Sequence, residues 1–306
     1  MILLVVQALN GLQLGLLLFL IAAGLTLVFG VMNFINLAHG VQYMLGAYLG
    51  VAFFALTGSF WLALVLASLA AGLVGLALEA LVFRRLYARS HLDQVLATFG
   101  VILALNEAVR TLWGAAPLQM PMPELLAGSF PLMEGLRYPV YRIAVIVAGL
   151  VVAALLAWAV NGTRAGMLVR AGASNAEMVN ALGVNIGRMF MFVFTIAAML
   201  AGFAGVMAAP LVAVEPGMGD NLLILAFVVI VIGGIGAIRG AFVAALLVGL
   251  VDTLGRSLVT DALRAVLGAA AAAQVGPAIA SMLIYLVMAG ILAIRPRGLF
   301  PATSAA

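Results

Sequence analysis

The sequence predicts an all-α fold, a polytopic membrane helix bundle of about nine crossings with its N-terminus outside and its C-terminus inside. Three observations predict it. Of the 306 residues 67% are hydrophobic and 8% charged, with a mean hydropathy of +1.30; a soluble domain needs about 25% charged residues to cover its surface. Apolar runs long enough to span recur along the chain, a span requiring about 20 helical residues for a hydrocarbon core about 30 Å thick. Arginines collect in alternate connections, which is how short cytoplasmic loops retain basic residues.

Taken in order, the apolar runs cover residues 14–31, 41–58, 61–83, 94–113, 143–160, 189–210, 221–238, the short 240–254, and 275–294. The start is mature structure and not a signal peptide, because residues 1–9 carry no basic stretch and the run continues through Val31 without a small-residue cleavage site. Arg84, Arg85, Arg89, Arg164, Arg170, Arg188, Arg239, Arg295 and Arg297 fall in connections that would share one side, the inside. The opposite connections hold Arg137, Arg142, Arg256 and Arg264 mixed with Glu124, Glu134, Glu215, Asp220 and Asp261. The C-terminal arginines join the first group only if the short run 240–254 also crosses; eight spans plus a re-entrant segment is the alternative. The longest outside connection, 114–142, contains Pro117, Pro121, Pro123, Pro131 and Pro139, a spacing that suits an ordered extended loop. No soluble domain is left over, so the expectation is a single transmembrane domain over 1–306 with an inside loop at 161–188.

Composition also excludes activities. All 14 basic residues are arginine, so the chain lacks the lysine of a GxxxxGK[ST] phosphate loop, and any ATP hydrolysis belongs to another chain. The pI near 10.0 comes from dispersed arginines with no aromatic stacking platform, which argues against nucleic acid as a partner. Cysteine is absent, and His39 and His91 are the two histidines; neither HExxH nor GxSxG occurs. No enzyme, cofactor or metal site is expected.

The inside loop 163–188 carries the strongest local pattern. Ser174 followed by Glu177 reads as a capping box that starts a helix, and Gly183 as its left-handed stop. A helix of about two turns is marginal in water and persists only when packed on something. Packed on what stays open: a partner protein, or the bilayer surface. Asn33, Asn36, His39 and Gln42 cluster polar side chains beside the first two spans. Within the membrane they would have to line a path or bond a broken backbone; between spans they would simply cap a tight turn. Gly233, Gly234 and Gly236, followed by Gly240, permit both close helix approach and a break of the backbone, so they read as a gate or as a compact turn. Glu107 with Arg110 and Asp252 with Arg256 read as charges with built-in helical partners, and Glu79 as a snorkelling or capping residue within reach of Arg84.

The segment Arg170-Ala171, Ala173, Asn175, Glu177 and Ala181-Leu182-Gly183-Val184-Asn185 resembles the cytoplasmic coupling loop of ABC importer permeases in the branched-chain amino-acid branch. Collinear with it, Asn33-Phe34-Ile35-Asn36-Leu37-Ala38-His39-Gly40 resembles that branch's early NFAHG signature. Val231 to Ala241 is similar to its late glycine-rich stretch, and Arg295-Pro296-Arg297-Gly298-Leu299-Phe300 to its ending. The chain is identified as resembling the H-type (LivH-like) permeases over essentially its whole length. One departure is local: the Glu-Ala-Ala triplet of other importers reads Gly172-Ala173-Ser174 here.

The resemblance implies an inner-membrane permease for branched-chain amino acids. It also implies a second, M-type (LivM-like) permease, two cytoplasmic ATPase subunits and an extracytoplasmic substrate-binding protein as partners. Arg170, Ala173, Ser174, Asn175, Glu177, Ala181, Leu182, Gly183 and Asn185 would then form the ATPase-coupling element. Import of urea or short amides by the same branch, and a secondary amino-acid carrier, are the alternatives. A carrier has no ATPase to dock, which is what the capped inside helix discriminates.

Overall fold

The computed structural model describes residues 2–133 and 136–300; Met1 and Glu134, both weighed above, lie outside them. Ten helices follow in order: α1 (Ile2–Met32), α2 (His39–Thr57), α3 (Phe60–Leu81), α4 (His91–Trp113), α5 (Val140–Gly162), α6 (Arg164–Ala181), α7 (Ile186–Ala208), α8 (Met218–Gly233), α9 (Ile238–Leu267) and α10 (Ala269–Ile294). All but α6 and α8 are long and apolar enough to cross a membrane, which makes eight candidate spans among the described residues, and α8 is a shorter apolar helix of 16 residues. The polytopic helical bundle is therefore present.

Three boundaries differ from the sequence reading, each for a local reason. Helix α1 begins at Ile2 rather than near residue 14 because Asn10 and Gln13 find partners: Arg142 donates to Asn10 Oδ1 at 2.7 Å and to Gln13 at 3.2 Å, and the Tyr138 hydroxyl donates to Asn10 at 3.0 Å. The short element is α8, not the run after it, because Gly234 (φ 101°) and Gly236 (φ 80°) end the helix ahead of residue 238. Helix α9 extends for 30 residues through Asp252, whose carboxylate takes three hydrogen bonds from Arg256 one turn later. In the proline-rich connection an antiparallel hairpin forms, β1 (Ser129–Met133) with β2 (Leu136–Pro139), and Leu118 pairs with Val214 to tie the connection to the segment after α7.

The charges also sort differently. Glu107 and Arg110 are 3.7 Å apart but both exposed, so they are not a buried pair. Glu79 is fully buried instead of snorkelling; it accepts from Arg84 at 3.3 Å and from the Tyr87 hydroxyl at 3.1 Å. Burial, with the neighbouring carboxylate, raises the Tyr87 pKa, so this phenol stays a donor.

An internal pattern emerges from the packing that the sequence alone left unresolved. Helix α1 lies against α9 and α3 against α7, while α1 crosses α7 and α2 crosses α8. Helices α1 to α3 thus relate to α7 to α9 as two halves that exchange their third helices. Both first helices end alike, Gly30-Val31-Met32 in α1 and Gly205-Val206-Met207 in α7. The α2–α8 crossing is reciprocal: a Cβ on Gly40 would stand 2.6 Å from the Gly219 carbonyl oxygen, and one on Gly219 would collide with the Gly40 carbonyl. Contact this close, backbone on backbone, admits only glycine. Related halves packed against each other recur in transporters.

Candidate functional site

The polar cluster of the early segment lies inside the bundle. Asn33 ends α1 with φ 47° and is exposed, and from there the chain folds inward, so that Asn36, His39 and Gln42 are buried. His39 Nε2 sits 3.1 Å from the Ile21 carbonyl oxygen, about 16 Å before the end of α1 by helical rise. Helix α2 therefore starts deep in the protein, and its N-terminus at Ala38 has no side-chain cap. Helix α8 also begins inside: the Gly217 N–H donates to Asn106 Oδ1 at 2.9 Å, roughly 10 Å before the end of α4.

Along α1, α2 and the segment between them, buried polar atoms stand without a partner among the described residues: both amide atoms of Asn36 and of Gln42, His39 Nδ1, Thr26 Oγ1 and Tyr48 Oη. Each such group costs about 1 to 3 kcal/mol unless satisfied, and a run of them in an apolar bundle calls for water, substrate or a second arrangement of the helices. Thr26 and Tyr48 escaped the sequence reading, because a lone threonine or tyrosine within an apolar run carries no pattern. Gln94 escaped it too: buried at the start of α4, it accepts from the Ile35 N–H at 3.3 Å and holds the inward-folding segment in place.

At the late glycines the backbone break is held from the C-terminal side. Phe300 N–H donates to the Gly233 carbonyl at 3.0 Å and Leu299 N–H to the Ile232 carbonyl at 2.8 Å. A Cβ on Gly234 would meet the Phe300 carbonyl oxygen at 2.5 Å, and Gly236 Cα packs against Gly30, where a Cβ would come within 2.7 Å. Gly234→Leu should therefore lower assembly or transport much more than Ala237→Leu, since Ala237 already carries a Cβ and is part-exposed. Equal transport by the two variants at matched membrane levels would remove the special backbone role.

The loop between α5 and α7 is two helices in succession. Helix α6 starts on Thr163, whose hydroxyl accepts from the Gly166 N–H at 3.0 Å, and breaks at Asn175 (φ −156°, ψ 94°). The predicted Ser174 capping box is not formed: Asn175 is the cap, accepting from the Met178 N–H at 2.9 Å. With Asn175 in the extended conformation that a cap requires, Ser174 belongs to the preceding turn. The stop is as predicted, with Gly183 at φ 89°; Gly183 N–H bonds the Asn180 carbonyl at 3.0 Å and Val184 N–H the Val179 carbonyl at 3.3 Å, the two bonds of a Schellman motif. Asn185 then caps α7 through the Arg188 N–H at 3.0 Å. Val179 and Gly172 face inward, whereas Arg170, Ala173, Ser174, Glu177, Met178, Ala181 and Leu182 are exposed. Leu182 and Met178, 76% and 59% exposed, leave an apolar face uncovered on a short helix.

These elements share one end of the bundle. The Phe34 ring meets Tyr87 edge to face and Phe83 at a tilt, Phe83 meets Phe194 at a tilt and Tyr87 meets Phe190 edge to face, while Gly30 meets Gly236 and residues 297–300 meet Gly233 and Gly234.

The family of branched-chain amino acid transport system permease components matches residues 7–292. Among curated proteins the chain is 32% identical to the high-affinity branched-chain amino acid transport system permease protein BraD of Pseudomonas aeruginosa, over 83% of this chain and 87% of that one. It is 29% identical to the permease protein LivH of Salmonella typhimurium, over 81% and 84%. A probable LivH of Methanocaldococcus jannaschii is 26% identical, over 78% and 76%. No solved structure matches. The match across nearly the whole chain places it, as a multi-pass membrane protein, in the family of branched-chain amino acid transport system permease components.

Proposed function

We propose that this chain is a permease subunit of an ATP-driven importer and translocates branched-chain amino acids delivered by an extracytoplasmic binding protein. The observation that carries it is the capped helix after Asn175, held out at the arginine-rich end with Met178 and Leu182 uncovered. That face fits a docking groove on a cytoplasmic ATPase. Two ATPase subunits and a second, LivM-like permease complete the complex, in which the whole chain acts as one transmembrane domain with its coupling loop at 161–188. Asn36, His39 and Gln42 border the translocation path at the inward start of α2, with Asn33 at its mouth, and Gly233, Gly234 and Gly236 provide the backbone break.

The proposed topology has nine crossings, α8 included, with the N-terminus out and the C-terminus in. In its support, Asn10 meets Arg142 and Tyr138 at one end of the bundle, whereas the last described residues meet Gly233 and Gly234 at the arginine-rich end. Termini at opposite ends require an odd number of crossings. A cysteine at position 297 should therefore be shielded from an impermeant reagent added outside intact cells, and one at Pro121 should be labelled; labelling of 297 from outside would overturn the topology.

The transport reading is tested by reconstituting the complex in vesicles and measuring ATP-dependent uptake of labelled leucine and of urea with each binding protein. Leucine uptake that requires both ATP and the binding protein is the expected result. Uptake of urea alone, or uptake driven by an ion gradient without ATP, would replace it.

A further inference from the structure

Helices α5 and α9 barely touch, and a furrow remains between residues 150–161 and 237–243. Its upper part, a cavity of about 370 Å³, is lined by Arg170, Arg239 and Asn161. Its continuation, a cavity of about 510 Å³ sharing Arg239 and Phe300 with the first, is lined by Leu150, Ala153, Ala154, Phe242 and Val243. Phe19 and Phe242, edge to face at 5.1 Å, close its floor. From Asn161 to Leu150 the furrow runs about 16 Å along α5, by helical rise, which is the depth of one leaflet of a hydrocarbon core about 30 Å thick.

The chemistry changes along that length as a phospholipid's does. At the arginine-rich end two arginines line one cavity, and among the described residues neither Arg170 nor Arg239 makes an ion pair; those found there are made by Arg84, Arg110, Arg256 and Arg264. Arginine forks are suited to bidentate phosphate contacts. Below them the walls are wholly apolar, and Leu150, Ala154 and Val243 are exposed, so the furrow opens sideways to the bilayer. We propose that this furrow is a binding site for an anionic phospholipid, its phosphate held between Arg170 and Arg239 and one acyl chain lying along α5. Basic pockets between transmembrane helices bind anionic headgroups by the same means. Arg170 stands on α6 and Arg239 at the start of α9, so a bound headgroup bridges the first part of the coupling loop to the glycine break. The inference needs the chain to be in a membrane but is independent of what it transports.

The test uses the assembled complex, incubated in detergent with equal amounts of phosphatidylglycerol and phosphatidylcholine, repurified, and assayed for bound lipid by mass spectrometry. Wild type should retain phosphatidylglycerol selectively. Replacing both arginines (Arg170→Gln with Arg239→Gln) should weaken that retention by about 25-fold, each arginine near an anionic lipid contributing roughly fivefold. Arg239→Lys, which keeps the charge, should retain most of it, and Ala154→Trp, which fills the furrow, should expel both lipids. Equal retention of the two lipids by wild type, or undiminished retention by the double variant, overturns the proposal. So does a disulfide joining a cysteine at position 154 to the partner permease, because the furrow would then be covered by protein. Should the double variant not assemble, Arg239→Gln and Ala154→Trp decide by the same measurement, and leucine uptake is not part of the readout.

Discussion

Gly219→Ala and Gly40→Ala are each expected to destabilise the protein strongly. At this crossing each residue faces the other's carbonyl oxygen, so the incoming methyl meets backbone on both sides and no rotamer can relieve the clash. Overpacking costs about 1 to 3 kcal/mol where side chains can shift, and the cost here should reach or exceed the upper figure. Gly100 in α4 is the control, since a Cβ there meets nothing within 4 Å. Gly100→Ala should gain about 0.5 to 1 kcal/mol from helix propensity. Thermal unfolding of the purified variants in detergent, with membrane levels compared, makes the measurement. Similar midpoints for Gly219→Ala and Gly100→Ala would show that the crossing is loose enough to spread, and the interlocked halves would no longer be the rigid centre of the fold. Because His39 and Gln42 flank Gly40 on α2, any spread at this crossing would also shift the residues of the proposed path.

How much of this was legible in the sequence depends on whether a feature is chemical or geometric. Hydropathy found each of the eight candidate spans among the described residues because burial in lipid selects composition residue by residue. It misplaced the short helix because glycine interrupts a backbone without lowering the apolarity of a window, so the break at Gly234 and Gly236 fell inside the run 221–238. It shortened α1 because Asn10 and Gln13 look like the end of a span until Arg142, more than a hundred residues away, is seen to bond them. The inward start of α2 left only the polar cluster Asn33 to Gln42 as a trace, equally consistent with a turn between spans. Its counterpart at α8 left less, since Gly217 and Gly219 resemble any loop glycines until the packing brings Gly219 against Gly40. Family kinship was readable throughout, since ordered motifs survive where individual contacts cannot be seen.

Asn175→Ala and Gly183→Val should lower both binding-protein-stimulated ATP hydrolysis and transport while leaving the chain inserted. Ser174, the cap read from the sequence, stands next to Asn175, and either residue type satisfies the chemistry of an N-cap. The backbone chooses the second, whose side chain accepts from Met178 while Ser174 completes the helix before it. Ser174→Ala is thus expected to be silent. Asn175→Ala removes a cap worth roughly 0.5 to 2 kcal/mol from a helix of under two turns, which has little other local support. Gly183→Val places a β-branched residue at φ 89° and breaks the Schellman bonds that close the other end. Both sites are exposed and distant from the buried polar crossing, so substrate contacts should be unaffected. In reconstituted complex, binding-protein-stimulated ATPase and leucine uptake should fall together for Asn175→Ala and Gly183→Val, with co-purification of the ATPases checked separately and basal hydrolysis as reference. If Ser174→Ala were the damaging change and Asn175→Ala the silent one, the break at Asn175 would not be the start of the coupling helix. If all three kept full stimulation, the exposed Met178 and Leu182 would rest on lipid, and the ATP-driven reading would stand on family kinship alone.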